Sequence, residues 1–229
     1  MLEQTQNRKR ILAIGSDSEI AENLLKTICL QNDDLTTVSR RKNSNFLNKD
    51  HFCVNLSDMN QVINLGKKIE KLTFDIFLYF PGNFTPKEIT NIETEQIIEQ
   101  FNVNLISAIC LTKSVIKNME FQKSGMLIYI GSSSAYSGFK KTSIYCSSKH
   151  GLLGFSRSIA DEYREKGIKV ACLSPGSVDT KMSIPLHKDQ DVSTFIKPWE
   201  ISKLLQNIIY ETPKTMWQEE IILKRCSYQ

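Results

Sequence analysis

No two of the six cysteines in this 229-residue chain form a C-x-x-C pair; Cys29, Cys53, Cys110, Cys146, Cys172 and Cys226 are scattered, several inside apolar runs. Thiols placed this way read as reduced and buried, which excludes a disulfide framework and suits a cytosol. Histidine is scarce too. His51, His150 and His187 stand far apart, so a metal centre has little to be built from. No apolar run is long enough to span a bilayer, and the polar N-terminus lacks the pattern of a signal peptide. The expectation is a soluble, cytoplasmic protein that does not engage a membrane. An excess of one charge is also missing: 29 Lys and Arg against 25 Asp and Glu leave a net charge of +4. The basic clusters, Asn7 to Arg10 and Arg40 to Lys42, are short and form no stripe, so nucleic acid is not an expected partner.

Repeats, low-complexity stretches and linkers are absent as well, and no domain boundary suggests itself. What is present is an alternation of short β-branched or apolar runs with longer amphipathic ones, the pattern of parallel strands joined by helical crossovers. Strands are expected at about Ile11 to Gly15, Leu35 to Ser39, Phe52 to Leu56, Asp75 to Phe80, Met126 to Ser132 and Lys169 to Ser174. A weaker one is expected at Glu220 to Leu223. The longest helices are expected at Ile92 to Met119 and Ser143 to Lys166. In such α/β folds ligands bind beyond the carboxyl ends of the strands, where Gly15, Ser132 and Pro175 all fall. A chain of this length suits one unit with a sizeable core and leaves no room for a separate substrate domain.

Three Tyr-x-x-x-Lys pairs occur. Tyr136 and Lys140 enclose Gly138 in a loop-like stretch, and Tyr210 and Lys214 enclose Pro213, which should end a helix. Only Tyr145 and Lys149 open a long periodic segment in which their spacing puts both side chains on one helical face. A phenol with a reference pKa near 10 is a weak acid or base at neutral pH, but a nearby ammonium favours phenolate and lowers that value. Tyr145 could then give a proton to a carbonyl oxygen, or take one from an alcohol in reverse. Ser132, ending the apolar run MLIYIGS, can donate a hydrogen bond to the same oxygen as charge develops there. Asn104 would hold a water or backbone group that connects Lys149 to solvent.

The ordered set Asn104, Ser132, Tyr145 and Lys149 resembles that of the single-domain short-chain dehydrogenases/reductases. Ser132 lies thirteen residues before Tyr145, as the family's serine does, and Gly138 falls where its loop glycine does. In KVACLSPGSVDTKM, Pro175, Gly176, Val178 and Thr180 look like the family's turn at the nicotinamide end of the cofactor. The resemblance implies a Rossmann-like doubly wound parallel sheet in three α/β/α layers, with strand order 3-2-1-4-5-6-7. It also implies one dinucleotide-binding catalytic domain over residues 1–229, packed through its two long helices into a homodimer or homotetramer.

At the cofactor loop, AIGSDSEIAENLL keeps Gly15 but has Glu19 and Ala21 where the family has its second and third glycines. Ala21 still permits close helix packing. A carboxylate roughly 7 Å from a phosphate charge, at an effective dielectric near 20, would cost about 2 kcal/mol before screening. Ser16, Ser18 and the amides around Ile20 could still donate to phosphate. An ordinary capped strand-to-helix turn is the alternative reading of this loop. At the end of the second strand, Ser39 and Arg40 stand where the family selects its cofactor, and a guanidinium suits a 2′-phosphate. NADP(H) is therefore favoured over NAD(H), with Arg41 or Lys42 as second contacts. Tyr79, Phe80 and Pro81 replace the family's Asn-Asn-Ala before Gly82, and Asn55, next to Leu56, replaces an adenine-contacting Asp. Lys181 to Lys197, with Met182, Ile184, Leu186 and Phe195, occupies the place of a lid, and Phe84, Tyr136 and Phe139 could line an apolar pocket beside it. The expected substrate is a small-molecule ketone, keto-acyl group or alcohol, in the manner of a carbonyl reductase or 3-oxoacyl reductase. Two other readings are a non-catalytic dinucleotide-sensing or regulatory protein on the same fold and a sugar-nucleotide epimerase or dehydratase. The chain is short for the latter.

Overall fold

The computed structural model describes residues 8–41, 50–184, 191–213 and 215–226. Of the residues named above, Asn7, Lys42, Leu186, His187 and Lys214 lie outside the described residues.

Strands β1 (Arg10–Ile14), β2 (Asp34–Ser39), β3 (Asp50–Cys53), β4 (Ile76–Tyr79), β5 (Gly125–Ile130), β6 (Ile168–Pro175) and β7 (Glu220–Leu223) form one parallel sheet in the order β3-β2-β1-β4-β5-β6-β7. The helices are α1 (Glu19–Leu30), α2 (Met59–Ile69), α3 (Thr94–Phe101), α4 (Ser107–Gln122), α5 (Ser143–Tyr163) and α6 (Pro198–Tyr210). Because strand side chains alternate between faces, each central strand feeds two cores. Leu12, Ile14, Phe77, Tyr79, Leu127 and Tyr129 pack with α2, α4 and α5. Ile11, Ala13, Ile76, Leu78, Ile128 and Leu173 pack with α1 and α6. The three layers follow directly.

Six of the seven strands lie within two residues of the expected bounds at both ends. β3 is the exception, ending at Cys53 rather than Leu56. Its neighbour β2 stops at Ser39, opposite Cys53, so the ladder has nothing further to pair with. Asn55 and Leu56 consequently lie in the turn before α2, whose N-terminus is capped by the Asp58 carboxylate accepting from Asn60 N at 2.9 Å. The long helix expected over Ile92 to Met119 is really α3 and α4 joined by a π-helical turn, Asn102–Ile106. The Ser143 helix starts where expected and passes into a 3₁₀ turn, Arg164–Lys166, before Gly167. Among the described residues no helix is long and apolar enough to cross a membrane.

Candidate active site

Four elements bring the expected residues to the carboxyl edge of the sheet. β5 ends just before Ser132, whose Oγ accepts from Ser134 N at 3.1 Å and stands near enough to the Tyr145 phenol to favour its ionised form. Tyr145 sits on the first turn of α5, its ring against that of Phe84 with centroids 4.6 Å apart. One turn later Lys149 is 2 % exposed and donates through Nζ to the Ile130 carbonyl at 2.9 Å. A Cβ on Gly82 would stand 3.7 Å from the same nitrogen, which places the loop after β4 beside the ammonium.

The charge balance differs from the expectation that Lys149 lowers the Tyr145 pKa. Burial pushes Tyr145 above its ordinary value, and the nearby Ser132 hydroxyl only partly offsets this. Lys149 does not reverse it, because its ammonium is directed at Ile130 and lies 5.9 Å from the phenol ring centroid. Burial also pushes Lys149 itself down, from 10.5 to about 8. Between those values the unfolded chain holds a proton that the fold does not, so stability rises with pH across that window. Below it the buried ammonium costs roughly 3 kcal/mol. Lys149→Met is therefore expected to have a Tm advantage over the wild type at pH 7 that shrinks towards pH 10. A Tm difference that stays constant across that range would mean that burial does not penalise the ammonium.

Asn104 is fully buried in the π-helical turn and acts as a clamp. It accepts from Asn83 N at 2.6 Å, and its Nδ2 donates to Asn83 O and to Ser148 Oγ, each at 2.9 Å. Ser148 in turn donates to the Tyr145 carbonyl at 2.8 Å. Asn104 thus ties the loop after β4 to α5, and Lys149 is not among its partners. The backbone group it holds is that of Asn83.

At the loop after β1, Gly15 has φ +76°, and a Cβ there would come within 2.9 Å of the Pro81 ring. Ser16 is turned inward, donating to Val38 O at 3.4 Å, while Ser18 caps α1 by accepting from Ala21 N at 3.1 Å. Ile20 packs into the core beside α6, and its carbonyl accepts from Ser202 Oγ. Glu19 reaches across to the segment after β6, its Oε1 accepting from Lys181 N at 2.9 Å. Ser39 is buried and donates to Arg41 O at 2.5 Å, whereas Arg40 is exposed at the end of β2. Asn55 Oδ1 accepts from Ser57 N and Oγ, and Leu56 is buried beside it. Pro175 closes β6, Gly176 N donates to Leu223 O, and Val178 bridges to Ile196. Thr180 Oγ1 accepts from Ser183 N.

The short chain dehydrogenase family model matches residues 11–191. The chain belongs to the short chain dehydrogenase family. It is 33% identical over 141 residues to the 3-oxoacyl-[acyl-carrier-protein] reductase FabG of Buchnera aphidicola subsp. Acyrthosiphon pisum, covering 61% of this chain and 58% of that protein. A second relative, carbonyl reductase family member 4 of Xenopus tropicalis, is 36% identical over 96 residues, covering 42% of this chain and 41% of that protein. The chain thus aligns with roughly half the length of these relatives. The structure of 4-hydroxyisoleucine dehydrogenase complexed with NADH superimposes with a TM-score of 0.83 at 22% identity, covering 94% of this chain and 96% of that one, a likeness of fold.

Sequence reasoning missed Asn83, Gln100 and Ser148. Gln100 Nε2 donates to Asn83 O at 2.7 Å beside Asn104, so two amides converge on one carbonyl. The signal was there: Gln100 lies four residues before Asn104, and Ser148 directly precedes Lys149. Of the three aromatics expected at a pocket, only Phe84 packs on Tyr145. Tyr136 instead donates to Glu220 Oε2 at 2.9 Å, and Phe139 is 55 % exposed beside Ile89 and Lys141.

Proposed function

We propose that this short chain dehydrogenase is an NADP(H)-dependent oxidoreductase that interconverts a small carbonyl compound and its alcohol, with a keto-acyl group of modest size as the preferred substrate class. The observation that carries this reading is the convergence of Ser132 on the Tyr145 phenol, one helical turn from buried Lys149. When bound, the reduced nicotinamide would supply the hydride. Tyr145 would hand its proton to the substrate oxygen, and Ser132 would hold that oxygen as negative charge builds on it. Lys149 would lie close enough to stabilise the phenolate that proton transfer leaves behind. Asn104 would keep the loop carrying Gly82 and Asn83 in register with α5. The relatives named as 3-oxoacyl reductases support the keto-acyl choice.

The residues present fit a dinucleotide. Gly15 turns tightly at the end of β1, Ser18 caps the helix whose N-terminus follows, and Arg40 offers an exposed guanidinium at the end of β2. Gly82, Pro175, Gly176, Val178 and Thr180 would hold the nicotinamide end, with Asn55 and Leu56 at the adenine. A single dinucleotide-binding catalytic domain, assembled as a homodimer or homotetramer in the cytoplasm, completes the proposal. Calorimetric titration of the wild type should give tight binding of NADPH and weaker binding of NADH. Arg40→Ala should weaken NADPH by about 10- to 100-fold, the loss of one charge-assisted phosphate contact, and leave NADH unchanged. The Glu19 contact to Lys181 favours one competing reading, a regulatory protein whose carboxylate occupies the diphosphate side of the cleft. Failure of both nucleotides to bind would select it.

A further inference from the structure

Tyr79 stands at the end of β4 in place of an asparagine common to the family, and its side chain points into the core towards the turn that carries Asn104. Its ring is fully buried, and its hydroxyl donates to the Val103 carbonyl at 2.6 Å. Ser107 Oγ lies 2.5 Å from the same hydroxyl and donates to the Asn102 carbonyl at 2.7 Å. These two carbonyls decide how the helix is wound. The Ser107 amide bonds to Asn102 O, five residues back, which makes the turn π-helical. An α-helical turn would require the same amide to bond to Val103 O, four residues back. Both lone pairs of that oxygen already face a donor, the Tyr79 hydroxyl at 2.6 Å and Ser107 Oγ at 3.3 Å.

We propose that Tyr79, together with Ser107, is a positioning residue for the reaction: by claiming the Val103 carbonyl it selects the π-helical turn and so sets Asn104 where it clamps Asn83 and Ser148. The inference rests on the role given to Asn104 above. Without the phenolic hydroxyl, Val103 O becomes available to Ser107 N, the turn tightens towards α-helix, and the Asn104 amide shifts relative to the Asn83 backbone. The three bonds of Asn104, at 2.6 to 2.9 Å, leave little slack for such a shift. Neither residue touches the reacting groups. Their effect should therefore appear in kcat and only through Asn104.

A double-mutant cycle with steady-state kinetics tests this on the full chain. Tyr79→Phe keeps the ring that fills the core and removes only the hydroxyl; Ser107→Ala is the second probe, used in the same way if the first variant fails to fold. Expected are a roughly tenfold fall in kcat, an unchanged NADPH Kd, and no further fall when Tyr79→Phe is added to Asn104→Ala. A lowered Tm with wild-type kcat would overturn the inference, because the hydroxyl would then be structural only. So would independent, multiplicative losses in the double variant, with the role of Asn104 left standing. If Asn104→Ala alone keeps wild-type kcat, the reading of Asn104 fails and this inference falls with it.

Discussion

Tyr145→Phe is expected to lower kcat by about a thousandfold or more while NADPH affinity stays within about twofold of wild type. The substitution keeps the ring, so its packing against Phe84 at 4.6 Å and the first turn of α5 should survive. It removes the hydroxyl that Ser132 faces. Without that hydroxyl, hydride arriving at a carbonyl carbon would leave an alkoxide held only by Ser132, with no proton donor in place. The phenol, held above its ordinary value, is protonated at pH 7 and so carries the proton that reduction of a carbonyl needs. Lys149, at about 8, is still mostly ammonium at pH 7 and is suited to stabilise and then reprotonate the phenolate. Retained turnover by the Phe variant, measured with NADPH and a 3-keto thioester, would remove Tyr145 from the chemistry.

The residues that the sequence identified most clearly are those whose roles depend on local periodicity. Tyr145 and Lys149 share a helix face because of a four-residue spacing, and strands buried on both faces announce themselves as apolar runs. What stayed hidden depends on distant partners. Nothing in NVNLI marks a π-helical turn, because the donor that meets Val103 O is a tyrosine from strand β4. The sign of the Tyr145 shift was equally hidden: the spacing brings a lysine nearby, but only the fold shows that its ammonium is aimed at Ile130. The partner of Glu19 was hidden as well: its carboxylate accepts from the Lys181 amide, 162 residues away, which no local pattern predicts.

Gly15→Ala should be the most damaging small substitution at the cofactor loop, and its cost can be assigned to two sources. A residue with a Cβ at φ +76° loses about 1 kcal/mol to backbone strain, because the left-handed region crowds Cβ against the following carbonyl. The methyl would also press within 2.9 Å of Pro81 Cγ and 3.0 Å of Cδ. Those atoms belong to a closed ring that cannot swing aside, so relief must come from the backbone of one loop or the other, at a further 1–3 kcal/mol or so. In a chain of this size the two together should lower Tm by roughly 5–10 °C. The same displacement separates the turn after β1 from the loop carrying Gly82, the two sides between which a dinucleotide would lie. NADPH affinity should fall at least about tenfold in consequence. Gly138→Ala is the matched control, since a Cβ there meets nothing within 4 Å, and it should leave both Tm and affinity near wild type. If Gly15→Ala loses stability but binds NADPH as the wild type does, the glycine would serve the fold and the cofactor would lie elsewhere.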